Sequence, residues 1–172
     1  MAETADPRLT GFAPVVAPDA RLLLLGSFPG DASLAAAQYY AHPRNQFWPL
    51  LAELTGIALP ALAYDERLDA VKRARIAIWD VNQSCRRIGS LDSAIRSATV
   101  NPFAELLARA PGIAAVGFNG QAAARHQDWF EAAGLRTYRL PSTSPAHASL
   151  SFAQKLERWS VLRDDGWIVP QA

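Results

Sequence analysis

The stretch RLLLLGSFPG, residues 21–30, joins a short apolar run to a turn rich in glycine and proline. Four successive leucines that end at such a turn are typical of a strand buried on both faces, as in a parallel sheet. Pro29 stiffens the turn, while Gly26 and Gly30 lack a β-carbon and let the backbone approach a ligand. We therefore predict a buried strand over residues 21–25 with a binding site beyond its carboxyl end.

Three later segments have the same short, apolar character, and helical patterns separate them. The sequence predicts further strands over 75–80, 113–118 and 135–140, and helices over 47–54, 65–74, 102–110, 120–132 and 152–164. Strands that alternate with helices form parallel sheets covered on both faces. We therefore predict an α/β fold, a three-layer α/β/α sandwich around a central, mainly parallel four-stranded sheet. We expect one domain over 1–172, with an irregular N-terminal segment over 1–18.

Composition limits the class of protein to which this fold belongs. Half of the 172 residues are apolar, which is enough for a substantial core. No apolar run approaches the roughly 18 residues that cross a bilayer. The N-terminal stretch MAETADPRLTGFAPV lacks the basic and then apolar pattern of a secretory signal. We therefore expect a soluble, cytoplasmic protein.

Residues that bind metals are few. The single cysteine, Cys85, excludes an internal disulfide and a cysteine-ligated cluster within one chain, and the three histidines are too scattered for a zinc motif. We therefore expect neither a metal nor another cofactor.

The net charge of +1 gives the chain no global positive field. Local groups of basic residues can still bind phosphates, and ordinary solvated charges are the alternative interpretation. The groups are Lys72, Arg73 and Arg75; Arg86 and Arg87; and Lys155 and Arg158.

The segment YYAHPRNQFW, residues 39–48, combines aromatic rings with an amide side chain. Tyr39, Tyr40, Phe47 and Trp48 offer flat apolar surface on both sides of Asn45 in the sequence. Aromatic faces beside a polar group suit a flat ligand that carries polar atoms. The segment therefore predicts a pocket for a flat, polar ring.

Small and amide side chains follow each predicted strand. Because the carboxyl ends of parallel strands meet at one edge of a sheet, these residues are expected to form the rim of one site. The chain has no GxSxG turn and no phosphate loop that ends in GK and Ser or Thr, so serine hydrolase and nucleotide triphosphatase chemistry are disfavoured. The rim residues are Gly26 to Gly30, Asp80 to Ser84, Asn119 and Gly120, and Pro141 to His147.

Taken together, several blocks resemble the uracil-DNA glycosylase superfamily, and within it the hypoxanthine-DNA (deoxyinosine) glycosylase branch. The resemblance covers about residues 22–159. The blocks are GSFPG (26–30), Tyr40, HPRNQFW (42–48), IWDVNQSCRRIGSLDSAI (78–95), GFNG (117–120) and LPSTSPAHAS (140–149).

The resemblance implies a monofunctional DNA glycosylase of base excision repair. Such an enzyme swings a deaminated base, hypoxanthine and also uracil, out of double-stranded DNA and hydrolyses its N-glycosidic bond, leaving an abasic site. No lysine falls within the matched blocks, so Schiff-base lyase chemistry is not expected. We expect a monomer, associated with the nucleoid and with no membrane partner.

The resemblance also assigns roles to residues. Asn45 is the predicted catalytic residue, because a neutral amide can orient a water without titrating, and Tyr40 is the predicted stacking platform. A helix cap is the alternative for Asn45, a buried core position for Tyr40, and a turn cap for Asp80. The predicted base-binding residues are Gly26, Ser27, Phe28, Tyr40, Asp80 and Asn82. The predicted DNA-binding residues are Pro29, Gly30, Ser142, Thr143, Ser144, Pro145, Ala146 and His147.

Within the fourth loop, Ser142 and Ser144 are expected to grip phosphates, and Pro145, Ala146 and His147 to form an apolar wedge. A plain proline-rich turn is the alternative for those three. Asn119 is first of all a turn signal.

Two positions depart from the family pattern. Phe28 stands where relatives carry a catalytic Asn or Asp, and Leu140 where many carry His or Asn. These departures leave open a catalytically weak protein that binds damaged DNA. A mismatch-specific uracil or thymine glycosylase and a free-nucleoside hydrolase are further alternatives.

Overall fold

The computed structural model of the chain describes residues 7–171, which alternate between strands and helices as the sequence predicted. Its elements in chain order are β1 (Arg8–Thr10), β2 (Leu22–Gly26), α1 (Asp31–Ala36), α2 (Phe47–Thr55), α3 (Tyr64–Arg73), β3 (Ile76–Asp80), β4 (Asn82–Arg86), β5 (Arg96–Val100), α4 (Phe103–Arg109), β6 (Ala115–Asn119), α5 (Gln127–Ala132), β7 (Arg136–Leu140), α6 (Phe152–Trp159) and α7 (Val161–Asp164). Within the described range, every helix is too short or too polar to span a lipid bilayer.

The central sheet is four-stranded and wholly parallel, in the order β3-β2-β6-β7. Strand β2 lies inside it, with Leu24 opposite Ile78 on one side and Gly117 on the other. All four leucines of β2 are fully buried, and burying one leucine contributes roughly 1.5–3 kcal/mol. The α/β class and the four-stranded parallel sheet are confirmed.

Helices cover both faces of the sheet, because successive side chains of a strand point to opposite sides. Leu22 and Leu24 pack with Phe47 of α2 and Trp159 of α6 in one core cluster. On the other face Leu23 and Leu25 pack with Phe103 of α4 and Phe130 of α5. These two clusters fill the interfaces between the sheet and the helical layers on its two faces, so the fold is a three-layer sandwich.

A second sheet, which the sequence analysis did not predict, lies beside the first. It is antiparallel, in the order β1-β4-β5. Its strands read RLT, NQSCR and RSATV, and β5 is exposed along its whole length. A sheet this polar leaves no hydrophobic pattern to detect.

The predicted irregular segment 1–18 is wrong for part of its length. Arg8–Thr10 pair with β4 as a strand, and the Arg8 guanidinium donates hydrogen bonds to Ser84, Ser97 and Thr99. Val15 bridges to Ile78 of the central sheet. Residues 1–6 lie outside the described range.

Three helical details also differ from the prediction. Helix α1 was not predicted. The segment 120–132 contains a 3-10 turn (Ala123–His126) before α5, and the segment 152–164 divides at Ser160 into α6 and α7. Alanine-rich and amphipathic patterns specify a helical face, but they do not specify where a helix tightens or ends.

Candidate active site

One cavity of about 140 Å³ opens beyond the carboxyl ends of the central strands. A flat apolar ring fits a space of this size, since an engineered cavity of about 150 Å³ binds benzene. The loops after all four strands contribute to its lining, as expected for a parallel sheet. Its lining residues are Gly26, Ser27, Phe28, Pro29, Gly30, Asp31, Ala32, Ser33, Tyr39, Tyr40, His42, Asn45, Asp80, Ser90, Asp92, Asn119, Ser142, Thr143, Ser144 and Pro145.

Gly26, the last residue of β2, lets two polar side chains approach the backbone. A β-carbon at Gly26 would lie 2.5 Å from Asp80 Oδ1 and 2.9 Å from the Tyr40 hydroxyl. Such a contact is too short for any side chain larger than hydrogen. The polar ends of Asp80 and Tyr40 therefore face the same small volume because residue 26 is a glycine.

Asp80 ends β3 and is only 4% exposed. Its Oδ2 atom is buried without a hydrogen-bond partner among residues 7–171. Burial, and to a smaller extent the nearby Asp92 carboxylate, raise the pKa of Asp80 from 3.8 to about 7, and the Arg87 guanidinium opposes the shift. Asp80 therefore changes between carboxylic acid and carboxylate near neutral pH.

Tyr40 lines the cavity in a strained backbone conformation, with φ of +54°. One face of its ring is stacked on Phe47, with the ring centres 3.9 Å apart and the planes at 19°. Burial and the nearby Asp80 raise the pKa of its hydroxyl, and the neighbouring Asn119 amide opposes the shift. The Asn119 amide donates to Thr143, and the hydroxyl makes no hydrogen bond of standard geometry within the described chain. Since Phe47 covers one face, only the opposite face or the hydroxyl edge of Tyr40 can meet a ligand.

Asn45 lines the same cavity and is fixed by local hydrogen bonds. Its backbone N–H donates to the His42 carbonyl at 2.9 Å, and its Oδ1 accepts from the Phe47 N–H at 2.9 Å, at the start of α2. Asn45 therefore accepts a hydrogen bond at the start of α2 and lines the cavity at the same time. The Oδ1 atom can accept a second hydrogen bond, and the amide can donate two. The side chain is thus oriented and still able to bind water.

Thr143 connects the fourth loop to two other parts of the site. Its backbone N–H donates to Asn119 Oδ1 at 2.9 Å, and its hydroxyl accepts from Asn119 Nδ2 at 3.0 Å. Its carbonyl accepts from the Gln46 N–H at 3.0 Å. Thr143 also lines the cavity, although it is 1% exposed and its polar groups are used internally, and its contact with DNA stays a prediction.

That Asn82 reads a base edge also stays a prediction, because the structure places this residue in the second sheet. Asn82 is absent from the described lining of the cavity, although it follows Asp80 by two residues. Its backbone N–H donates to the Ser27 carbonyl, and it pairs with Val100 in the second sheet. The chain leaves the central sheet after Asp80, and β4 runs into the second sheet, which separates the two side chains.

The remaining predicted residues fall into two groups. Gly26, Ser27, Phe28, Pro29, Gly30, Ser142, Ser144 and Pro145 line the cavity. Ala146 and His147 instead line an adjoining groove of about 510 Å³, which shares Ser142 and Ser144 with the cavity.

The two departures from the family pattern have structural explanations. The Phe28 ring lines the cavity and lies 5.2 Å from the Arg87 guanidinium, so it is held as an apolar wall. Leu140 is 5% exposed and belongs to the core under α6, where it presents no polar group to a ligand.

Sequence reasoning missed the loop between β4 and β5 as part of the site. Ser90 and Asp92 line the cavity, and the Ser27 hydroxyl donates a hydrogen bond to Asp92. Both residues lie inside the family-like block 78–95, but the sequence analysis assigned no base-binding or DNA-binding role beyond Asn82 in that block. Among the described residues, no group of three or more His, Cys, Asp or Glu could hold a metal ion.

Comparison with known proteins shows to which family this chain belongs. The family model of the uracil DNA glycosylase superfamily matches residues 13–163. The chain belongs to the uracil DNA glycosylase superfamily. Family membership confirms the predicted relationship and makes the chain a DNA glycosylase that acts on DNA.

Individual relatives agree with this assignment. The chain is 39% identical over 137 residues to the hypoxanthine DNA glycosylase of Methanosarcina barkeri, covering 80% of this chain and 87% of that protein. It is 35% identical over 153 residues to the hypoxanthine DNA glycosylase of Methanosarcina acetivorans, covering 89% and 97%. A solution NMR structure of a Methanosarcina acetivorans protein, provisionally assigned as a uracil DNA glycosylase, superposes with a TM-score of 0.83 at 34% identity, over 92% of this chain and 98% of that one.

Proposed function

We propose that this DNA glycosylase hydrolyses the N-glycosidic bond of a flipped deaminated base, hypoxanthine and also uracil, and leaves an abasic site. One observation carries the proposal: Tyr40, Asn45 and Asp80 line one cavity of about 140 Å³ that is large enough for a flat ring. Two of the three contribute buried polar atoms without a partner among residues 7–171, the Tyr40 hydroxyl and Asp80 Oδ2. A buried polar atom is costly unless a ligand pairs with it.

Asp80 suits the edge that hypoxanthine and uracil share, a ring N–H beside a carbonyl. A protonated carboxyl group pairs with this edge through two hydrogen bonds, since its carbonyl accepts from the N–H and its O–H donates to the ring carbonyl. The pKa of about 7 keeps a large fraction of Asp80 protonated near neutral pH.

The same protonated carboxyl assists departure of the base. Cleavage of the bond leaves negative charge on the base, so a donor at the ring carbonyl binds the transition state more strongly than the substrate. An ionised Asp80 would instead place a second negative charge beside the leaving base. We therefore assign the protonated form to the reaction.

Asn45 binds the water that attacks the sugar. Its Oδ1 is oriented by the Phe47 N–H and can accept one proton of a water without removing it. A weak base of this kind suits a reaction in which the sugar becomes cationic before water attacks. The described residues that line the cavity include no lysine, which supports simple hydrolysis over Schiff-base chemistry.

Base flipping also supports selectivity for deaminated bases. Extruding a base costs less when its pair is weak, and a deaminated base sits in a weakened pair. The enzyme can therefore distinguish hypoxanthine from a normal purine by the cost of flipping and by the stability of the leaving base. The contact between Asp80 and the base edge helps to bind both hypoxanthine and uracil.

The test is a base-release assay on duplex oligonucleotides that carry one hypoxanthine, uracil, xanthine or thymine opposite each normal base. Alkali then breaks the strand wherever an abasic site has formed. We expect release of hypoxanthine with the highest rate, and of uracil more slowly. A preference for uracil or thymine opposite guanine would favour the mismatch-specific alternative. Retention of the damaged duplex with no strand breakage on any substrate would contradict the proposal and favour a damage-binding protein.

We further propose that the protein acts inside the cell as a monomer. Sedimentation of the protein alone and with a lesion duplex tests this, and a concentration-dependent dimer would contradict it.

A further inference from the structure

Arg87 places a buried guanidinium group directly behind the loop after β2 (residues 27–30), the first loop of the site. The residue follows β4 in the chain and is 5% exposed. Its Nη2 donates a hydrogen bond to the Pro29 carbonyl at 2.6 Å, and its guanidinium lies 5.2 Å from the centre of the Phe28 ring. Phe28 and Pro29 line the cavity, and Arg87 is absent from the described lining. The first loop therefore separates this cation from a bound base.

The first loop reaches Arg87 because it runs beside the end of β3 and the start of β4. The Val81 N–H donates to the Gly26 carbonyl at 2.8 Å, and the next residue of each segment repeats this contact at 3.0 Å. The hydrogen bond from Arg87 to Pro29 continues the attachment along the loop. The polar second sheet thus carries a cation to the rear of the cavity.

The charge of Arg87 is only partly neutralised. Within the described chain its ion-pair partner is the Asp31 carboxylate at 3.9 Å, whose side chain is 66% exposed and therefore screened by water. The Nε and Nη1 groups of Arg87 are buried without a hydrogen-bond partner among residues 7–171. An arginine stays charged even when it is buried, and an apolar side chain in such a place often leaves a protein equally stable. Stability alone therefore does not account for this arginine.

The Asp80 carboxyl group responds to this charge. Arg87 lowers the pKa of Asp80, against burial and the Asp92 carboxylate, which raise it. Burial raises the pKa of the Tyr39 and Tyr40 hydroxyls, so both stay neutral near pH 7. The other ionisable side chains that line the cavity are Asp31 and His42. The positive potential of Arg87 thus reaches the group that meets the base edge.

We propose that Arg87 is a positioning residue for base release, which holds the apolar wall of Phe28 and Pro29 and places a positive charge behind the part of the cavity that receives the base edge. The inference rests on the proposed function, because it assumes a base in the cavity. Departure of the base leaves negative charge on its ring, and a fixed positive potential stabilises that charge without rearranging during the reaction. The same potential favours the ionised form of Asp80, which limits base release at high pH.

The test compares the wild type with Arg87→Met, which keeps a long side chain and removes the charge. Single-turnover release of hypoxanthine is measured from pH 5 to about 9. We expect the rate at low pH to fall about tenfold, and the pH at which release is half-maximal to rise by about one unit. A disturbed loop alone would slow release without raising this pH midpoint. If Arg87→Met does not fold, Arg87→Gln, which is also uncharged and can still donate to the Pro29 carbonyl, takes its place.

Arg87→Lys and Arg86→Met are the matched controls. Lysine keeps the charge but lacks the planar group that contacts both Pro29 and Phe28, so the rate should fall while the pH midpoint stays at the wild-type value. Arg86→Met removes the same charge from the neighbouring residue, which lies in neither the cavity nor the groove as described, and its pH midpoint should also stay. An Arg87→Met variant with the wild-type midpoint, or an Arg87→Lys variant with the same upward shift, would overturn the inference.

Titration of Asp80 in the free protein separates this inference from the proposed function. The midpoint is followed by NMR of the labelled carboxyl group, and we expect it to be higher in Arg87→Met than in the wild type and unchanged in Arg86→Met. If base release fails on every substrate while this midpoint still shifts, the proposed function fails and the placement of the charge stands. If bases are released but the midpoint does not shift, the placement of the charge fails and the proposed function stands.

Discussion

The inner wall of the cavity and its rim are built in opposite ways. The inner wall consists of Gly26, Tyr40, Asn45 and Asp80, which lie at or near the ends of apolar strands and beside the aromatic residues of α2. The rim consists of residues 88–95 and 141–147, which mix polar and apolar side chains and are joined to the loops after β2 and β6 by hydrogen bonds. Gly26, Tyr40 and Asp80 of the wall are positioned by packing, Asn45 by local hydrogen bonds, and the rim by hydrogen bonds to the wall and to the first loop.

This difference separates two tasks. Burial of the inner wall shifts a pKa and leaves polar atoms for a base, which are the conditions for chemistry. The exposed rim places basic, hydroxyl and apolar groups where DNA can reach them. We therefore expect substitutions in the wall to slow the chemical step, and substitutions in the rim to weaken binding.

The largest expected effect is at Asn45. Asn45→Ala should lower single-turnover base release by about 100-fold or more, because the attacking water is no longer oriented, while affinity for lesion DNA is retained. Loss of the contact with the Phe47 N–H should also cost about 1 kcal/mol of stability. Single-turnover kinetics, DNA binding and urea unfolding measure the three effects.

Asn45→Ser is the matched control for that variant. Serine can still accept from the Phe47 N–H but has no amide, so we expect nearly wild-type stability together with the loss of base release. A serine variant that releases bases at the wild-type rate would show that the amide is not required.

The second effect concerns the protonation of Asp80. If the protonated form acts, base release should fall as the pH rises through about 7. Asp80→Asn retains a donor and an acceptor at the same positions, so it should remain active and lose this pH dependence, whereas Asp80→Ala should be about tenfold or more slower at every pH. Single-turnover rates from pH 5 to about 9 measure it. Rates of the Asn variant that still fall near pH 7 would assign the titration to another group.

The same carboxyl group should make stability depend on pH. The pKa of Asp80 is about 7 in the folded protein, compared with its ordinary value of 3.8, so the folded chain binds this proton more tightly than the unfolded chain. The bound proton therefore stabilises the fold fully below about pH 4, and this stabilisation is lost as the pH rises through 7. At pH 8 Asp80→Asn should therefore be more stable than the wild type by about 2–4 kcal/mol, since a tenfold difference in proton affinity between the folded and unfolded chains corresponds to about 1.4 kcal/mol. Equal stability of the two proteins at pH 8 would contradict the raised pKa.

The smallest effect is expected in the rim. Thr143→Val keeps the shape of the side chain but removes the acceptor for Asn119 Nδ2, which should cost about 1–3 kcal/mol because a buried donor loses its partner. The variant should bind lesion DNA more weakly and retain its rate once bound. A loss confined to the rate would show that the rim also takes part in the chemical step.

The sequence predicted the central sheet because its strands are short, fully apolar runs between helical patterns. It did not predict β4 and β5, since their residues are polar and their pairing depends on partners elsewhere in the chain. The pairing of Asn82 with β5 was not predicted for the same reason. Its distance along the chain from Asp80 was known, but the direction in which β4 leaves the sheet was not.

The amino-acid sequence by itself determined which loops surround the site. Apolar strands joined by helical crossovers run parallel, so their carboxyl ends, and the residues that follow them, meet at one edge. Only the tertiary structure decided which atoms face one another there. Tyr40 stacks on Phe47, and Asp80 approaches Gly26. The loop between β4 and β5 is attached to Ser27 and Asp31. Such contacts depend on how whole elements pack, and no local pattern of residues encodes that packing.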